Sequence, residues 1–198
     1  MAEAHVMAAG VETRAVTGIP TGKVGVWWFL ASEIVLFGGL IGVYLMFRLG
    51  SLGWSEMAAH MSIPIGTLNT FVLLTSSLTM VLAFAAAEKG DQKGMRTWLL
   101  LTVLLGLAFL IIKGFEWSGE IGAGFPPTAG GFWSFYYTMT GLHALHVLGG
   151  AVVNFILFLS VLMGLLGGSE HRVELAGLYW HFVDIVWIFL FPLLYLSW

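Results

Sequence analysis

Five long apolar stretches alternate with short polar segments along this chain of 198 residues. They lie at about 24–47, 65–87, 97–117, 132–166 and 175–198. About 20 apolar residues, rising 1.5 Å each in a helix, match a hydrocarbon core of roughly 30 Å. The pattern therefore predicts an all-α, polytopic membrane protein with five transmembrane helices. The fourth stretch is longer than one perpendicular crossing, so we expect it to tilt or to project beyond the bilayer.

The positive charges indicate which side of the membrane each segment occupies. Residues 1–23 form a polar segment ahead of the first span, and residues 24–198 form the predicted five-helix domain. Six basic residues fall in that segment, the second loop and the fourth loop: Arg14, Lys23, Lys89, Lys93, Arg96 and Arg172. Only Arg48 and Lys113 lie on the other side. Because cytoplasmic loops carry an excess of basic residues, we expect a cytoplasmic N-terminal tail and an outside C-terminus.

Composition supports the membrane assignment and excludes several kinds of site. Hydrophobic residues make up 59% of the chain and charged residues only 10%, whereas soluble domains carry about 25% charged residues. The net charge of −3 gives no reason to expect a nucleic-acid partner. Cysteine is absent, which excludes disulfides, iron–sulfur clusters and thiolate copper centres.

The last apolar stretch carries polar residues that must face protein. His181 and Asp184 are three residues apart and therefore share a helix face. An overlapping stripe contains Trp180, Asp184 and Trp187. A carboxylate within the bilayer is costly unless it has a partner in the protein. We expect His181 and Asp184 to hydrogen-bond to each other or to another helix, as buried protonatable groups.

The first span has a polar face and a glycine face. Glu33 shares one face with Phe37 and Tyr44, whereas Gly38 and Gly42 lie on nearly the opposite face. The two glycines predict close contact with a helix of this bundle or of a partner subunit. Two interpretations of Glu33 stay open: a structural carboxyl that fixes packing, or a protonatable or lipid-contacting group.

Polar residues in the second and third spans are interpreted as packing elements. Asn69 and Ser76 lie on one side of the second span among small and apolar residues, which predicts helix–helix contact with side-chain hydrogen bonds. A solute pathway is the less favoured alternative. Lys113 and Glu116, three residues apart near the end of the third span, predict an ion pair that snorkels to the interface.

The fourth span contains two histidines for which two hypotheses are open. Thr140, His143, Gly150 and Asn154 recur at helical spacing, and His146 lies beside His143. One hypothesis is a haem or metal site. The favoured one is that the histidines hydrogen-bond to neighbouring helices.

Depth in the membrane argues against the metal site. Residue counts place Glu33, His181 and Asp184 in the cytoplasmic half of the bilayer, and His143 and His146 near its middle. Metal ligands must lie at one depth, each about 2 Å from the ion. Because these residues are spread over much of the membrane, one site that uses all of them is not expected.

Five motifs in this chain resemble a known family. They are ASEIVLF, LNTFVLLTSSLTM, KGFEW, TMTGLHALHVLGG and YWHFVDIVWIFLF. In this order they resemble subunit III of the haem–copper cytochrome c and quinol oxidases, over about 175 residues. The match places the family's buried glutamate at Glu33, its second acid at Glu116 and its two motif histidines at His143 and His146.

The resemblance implies an accessory subunit without a redox centre of its own. Such subunits bind neither haem nor copper, which reside in partner subunits. They pack on catalytic subunit I beside the other oxidase subunits, hold structural phospholipid, and support assembly, stability and proton uptake. The expected location is the bacterial inner membrane, and membership of a respiratory supercomplex is left open. The chain lacks the first two helices of seven-helix members, so the lipid cleft that those helices form needs another wall.

Two alternatives to an oxidase subunit are carried forward. The first is a related accessory protein of nitric-oxide reductase, because the family includes such proteins. The second is a haem- or metal-binding membrane enzyme, because histidines lie inside the spans.

Overall fold

Helices dominate the computed structural model, which describes residues 21–51, 54–166 and 170–196. The helices are α1 (Thr21–Gly50), α2 (Trp54–Ala58), α3 (Ile63–Glu88), α4 (Gln92–Gly122), α5 (Gly131–Leu162) and α6 (Glu170–Tyr195). In this described part of the chain, five helices are long and apolar enough to cross a membrane. The predicted all-α fold with five spans is therefore confirmed. Most of the predicted N-terminal tail, residues 1–20, lies outside the described residues.

Turn chemistry explains the tight connection between α3 and α4. Gly90 has a φ of 68°, a left-handed conformation that glycine adopts without strain. Asp91 then caps α4, since its side chain accepts a hydrogen bond from the Gly94 amide at 3.0 Å. The short charged segment predicted between the second and third spans therefore contains the turn and the N-cap of the next helix, and it places α3 and α4 antiparallel to each other.

Four helices, α3 to α6, pack as a bundle, and α1 lies against α5 and α6. Cross-helix hydrogen bonds define the neighbours: Thr79 to Thr102 (α3–α4), Arg96 to the Val161 carbonyl (α4–α5), Tyr179 to the His146 carbonyl (α5–α6) and Trp187 to Thr70 (α3–α6). Each of these four contacts joins antiparallel helices. The last helix therefore closes the bundle between α3 and α5.

The core contains the stripes predicted from sequence. Asn69, Ser76 and Met80 of α3 are fully buried, as are Thr140 and His143 of α5. Small residues in the stripes let large ones approach, and Trp180 of α6 packs against Gly106 and Gly150. Polar residues on these stripes serve helix packing, as expected for a membrane bundle.

Helix α1 is the least buried of the five spans. In the most apolar 18-residue segment of α1, 17% of the residues are buried, whereas 33–44% are buried in the corresponding segments of the other four spans. Its inward residues are Phe37 and Tyr44. The Tyr44 hydroxyl donates to the Leu193 carbonyl at 3.1 Å and accepts from the Trp54 indole at 3.1 Å. Trp54 belongs to α2, a short helix that the sequence patterns did not predict.

The two predicted contact glycines of α1 face open space. A Cβ atom placed on Gly38 or on Gly42 would meet nothing within 4 Å in the described part of the chain. The alternative in which they contact a helix of this bundle is therefore not observed among these residues. Contact with a partner subunit stays a prediction.

Candidate functional site

Polar side chains join α6 to α3 along the middle of the bundle. Three side-chain hydrogen bonds cross this seam: Trp187 to Thr70 at 3.0 Å, Trp180 to Ser76 at 3.1 Å and His181 to Ser77 at 2.7 Å. Within the bilayer such bonds satisfy groups that hydrocarbon leaves unpaired. The last helix therefore faces protein on this side, as its polar residues predicted.

His181 and Asp184 are neighbours but are not hydrogen-bonded to each other. His181 Nδ1 is 4.0 Å from the nearer carboxylate oxygen of Asp184, which is too far for a hydrogen bond. Of the two predicted alternatives, His181 takes the second, a hydrogen bond to another helix, because its Nδ1 atom is bonded to Ser77 of α3. Asp184 has 4% of its side chain exposed and lies within reach of the same Ser77 hydroxyl.

Lys113 and Glu116 form a buried ion pair between α4, α5 and α6. Lys113 Nζ is 2.8 Å from Glu116 Oε2, and each side chain is only 1% exposed. The snorkelling geometry predicted for this pair is therefore wrong. Lys113 points into the bundle because Glu116 and the Tyr195 hydroxyl both bond its ammonium group there.

Aromatic side chains complete this buried centre. The Lys113 ammonium lies 4.7 Å from the ring centroid of Trp187 and 5.0 Å from that of Tyr195, within cation–π range. Glu116 accepts hydrogen bonds from the hydroxyls of Tyr136 and Tyr195. Both charges thus have partners inside the chain, so this centre holds the three helices together.

Glu33 of α1 is paired with His146 of α5. His146 Nε2 is 3.0 Å from Glu33 Oε2, with the two side chains 14% and 12% exposed. The other ring nitrogen of His146 lies 2.8 Å from the Leu142 carbonyl of its own helix. The hypothesis that His146 bonds a neighbouring helix is confirmed.

The Glu33–His146 contact should respond differently to two replacements of Glu33. Glu33→Gln keeps an oxygen for the imidazole, whereas Glu33→Leu leaves His146 half-buried without that partner. We expect Glu33→Leu to lower the stability of the folded subunit by about 1–3 kcal/mol, and Glu33→Gln to lower it much less. The measurement is the heat-denaturation midpoint of the membrane-extracted protein, with Glu88→Leu at an exposed position as the control. Equal midpoints for the two Glu33 variants would show that the hydrogen bond contributes nothing.

His143 is buried without a hydrogen bond to the described residues. Both of its ring nitrogens are inaccessible and unpartnered. The ring stacks on Trp187 with centroids 5.1 Å apart and meets the edge of Phe109 at 5.5 Å. The favoured hypothesis for the two histidines therefore holds for His146 and not for His143, which is held by aromatic packing.

The candidate residues do not come together at one place. Glu33 and His146 lie between α1 and α5, His181 and Asp184 near α3, and Glu116 between α4, α5 and α6. Among residues 21–51, 54–166 and 170–196, no three histidine, aspartate or glutamate side chains group as metal ligands would. Sequence reasoning missed Ser77, Tyr136 and Tyr195. The sequence could have indicated these three residues only by showing a polar side chain on the inward face of an otherwise apolar helix.

Comparison with known proteins gives a consistent result along the chain. The family model of cytochrome c oxidase subunit III matches residues 3–198. The chain is 34% identical over 177 residues to cytochrome c oxidase subunit 3 of Corynebacterium diphtheriae, covering 87% of this chain and 86% of that protein. It is 37% identical over 176 residues to cytochrome c oxidase subunit 3 of Alkalihalophilus pseudofirmus, covering 87% and 84%. It is also 35% identical over 176 residues to the probable quinol oxidase subunit 3 of Staphylococcus saprophyticus, covering 88% of each.

Proposed function

The chain belongs to the cytochrome c oxidase subunit III family, and from that premise we propose how it serves its oxidase. It is an accessory, multi-pass membrane subunit of a bacterial haem–copper terminal oxidase. We propose that it packs directly on the catalytic subunit I, supports its assembly and stability, and assists proton uptake. The redox centres, haem and copper, then lie in the partner subunits.

One observation carries the scaffolding part of this proposal. The most polar centre of the bundle, Lys113 with Glu116, is satisfied by the chain's own side chains. A buried ion pair that is satisfied within the chain fixes the three helices around it. Such a centre suits a subunit that holds a fixed shape against a partner.

The Glu33–His146 pair supports the proposed part in proton uptake. A carboxylate and an imidazole at hydrogen-bond distance are able to share and exchange a proton. Intramembrane acids paired in this way occur in proton relays. Both side chains remain partly exposed on the α1 side of the bundle, so a proton has access from outside the core.

A groove between α1, α5 and α6 supports the proposed binding of phospholipid. It has a volume of about 490 Å³ and is lined by apolar residues including Val26, Phe29, Val153 and Leu157, with Arg172 beside them. Apolar walls suit an acyl chain, and an arginine at the same groove suits a phosphate group.

We also propose that the N-terminus lies in the cytoplasm, because most basic residues of the chain fall in the N-terminal segment and in the loops on that side.

Copurification tests the proposed function. An affinity-tagged copy of the chain, extracted from its native membrane in mild detergent, is expected to bring down a haem-containing catalytic subunit that reduces oxygen. The phospholipid that remains after detergent washing is measured on the same sample. A catalytic partner that reduces nitric oxide would support the alternative of an accessory protein of nitric-oxide reductase. The named relatives do not favour it, because they are cytochrome c and quinol oxidase subunits.

Haem or stoichiometric metal in the isolated chain would support a metal-binding enzyme. A complex with its subunits complete but free of phospholipid would contradict the lipid proposal alone.

A further inference from the structure

An ion pair that a histidine shares ties the start of α1 to the start of α6. Lys23 Nζ lies 2.6 Å from Glu174 Oε1, and His171 Nδ1 lies 3.1 Å from Glu174 Oε2. The two helices also approach closely here, since a Cβ atom on Gly22 would lie 3.1 Å from Leu175 Cδ1. One carboxylate thus joins two helices that are far apart in the sequence. We call Lys23, His171 and Glu174 the clasp.

The clasp stands at one end of the groove beside Arg172. On the α1 side the groove begins at Gly25, two residues after Lys23. On the α6 side its wall contains Arg172 and Leu175, which flank Glu174 in the sequence. A Cβ atom on Gly25 would meet nothing within 4 Å, so the groove is open at this point. Because Lys23 belongs to one wall and Glu174 to the other, the ion pair bridges the end of the groove.

The clasp is the most exposed of three polar contacts that hold α1 at successive heights. Tyr44, near the other end of α1, is fully buried where its hydroxyl donates to α6. In the middle, the Glu33 and His146 side chains are 12% and 14% exposed. The Lys23 and Glu174 side chains are 32% and 30% exposed. Exposed ion pairs contribute little to stability and are screened by salt, so the clasp is the contact that opens most easily.

Opening of the clasp frees a defined part of α1. Glu33 lies ten residues after Lys23, which is about 15 Å along the helix. The α1 residues that line the groove, Gly25, Val26 and Phe29, all lie between these two contacts. With the clasp open, this part of α1 is able to move away from α6 while the Glu33 contact to α5 still holds the helix.

We propose that the clasp is a gate of the phospholipid groove. Closed, it retains the lipid between α1 and α6; open, it lets that lipid exchange with the surrounding bilayer. The proposal rests on the proposed function, because it assigns the regulation of the lipid groove described there. Since the ion pair is partly exposed, ionic strength sets how often the gate opens.

Uptake of a photoreactive lipid measures the gate in the assembled oxidase. Phosphatidylglycerol with a diazirine on its acyl chain is added to nanodiscs that hold the complex, and illumination at successive times labels the peptides that line the groove. Lys23→Met removes the cation of the clasp, and Lys93→Met at an exposed position of α4 is the matched control. We expect Lys23→Met to speed labelling about two- to fivefold, the range set by exposed ion pairs, and Lys93→Met to leave it unchanged. Added salt should speed labelling of the wild type more than that of Lys23→Met.

A covalent lock tests the gate in the opposite direction. The chain contains no cysteine, so Lys23→Cys with Glu174→Cys provides two thiols that a short bismaleimide is able to join. We expect this double variant to take up the lipid faster than the wild type before the reaction, and more slowly after it. Lys23→Cys alone, treated with the same reagent, is the control.

Two negative results are distinguishable. Equal labelling rates in the wild type, Lys23→Met and the joined double variant, in a complex whose groove does take up the lipid, would overturn the gate and leave the proposed lipid binding intact. Groove peptides that stay unlabelled in every variant at all times would contradict the proposed lipid binding, and the gate with it.

Discussion

Lys113→Met should prevent the accumulation of folded subunit in the membrane. The change leaves the Glu116 carboxylate at 1% exposure without its cation. Removing one partner of a buried ion pair typically costs about 3–5 kcal/mol, which is a large fraction of the stability of an ordinary domain. The measurements are the amount of the chain in detergent extracts and its heat-denaturation midpoint.

The double variant Lys113→Met with Glu116→Gln distinguishes two causes of lost stability: a buried charge without a partner, and the loss of the packing that the lysine side chain provides. Glutamine keeps an oxygen that is able to accept from the Tyr136 and Tyr195 hydroxyls, and methionine fills most of the volume of the lysine stem. Because both charges are gone, we expect the double variant to accumulate better than Lys113→Met alone. Lys93→Met, at an exposed position in the first turn of α4, is the control. A double variant as unstable as the sum of its two single variants would show that the pair is not energetically coupled.

The sequence predicted the features that follow from helical periodicity. Five spans, the buried stripes of α3 and α5, and the inward face of α1 are all set by which residues recur on one side of a helix. The polar face of α6 was predicted for the same reason, since His181 and Asp184 are able to avoid lipid only by facing protein. These predictions needed no knowledge of how the helices are arranged.

The sequence could not predict which side chains contact each other between helices. Those contacts depend on how each helix is rotated about its axis and shifted along it relative to its neighbours. Lys113 was placed at the interface by its position near the end of an apolar stretch, but Tyr195 comes from the far end of the chain to meet it. No sequence pattern paired His146 with Glu33, which the structure brings to 3.0 Å. Counting residues locates a group along its own helix. It does not locate that helix relative to its neighbours.

Gly150→Ala should destabilise the bundle, whereas Gly149→Ala one residue earlier should not. A Cβ atom on Gly150 would lie 2.6 Å from Trp180 Cε3 and 2.9 Å from Tyr179 Cε1. Trp180 has little room to retreat, because Gly106 packs against its ring from α4 and its indole N–H donates to Ser76. Overpacking of this kind typically costs about 1–3 kcal/mol, occasionally more. The expected result is a lower heat-denaturation midpoint and a lower yield of subunit.

Gly149 supplies the control in the same helix turn. A Cβ atom there would meet only the Tyr179 hydroxyl, at 3.6 Å, which is ordinary contact. Alanine also favours a helix over glycine by about 1 kcal/mol, so Gly149→Ala should be neutral or stabilising. Adding Trp180→Phe to Gly150→Ala removes part of the ring that the new methyl group meets, and it should restore some of the lost stability. Equal midpoints for the two alanine variants would contradict the close packing of α5 against Trp180, on which the position of α6 in the bundle depends.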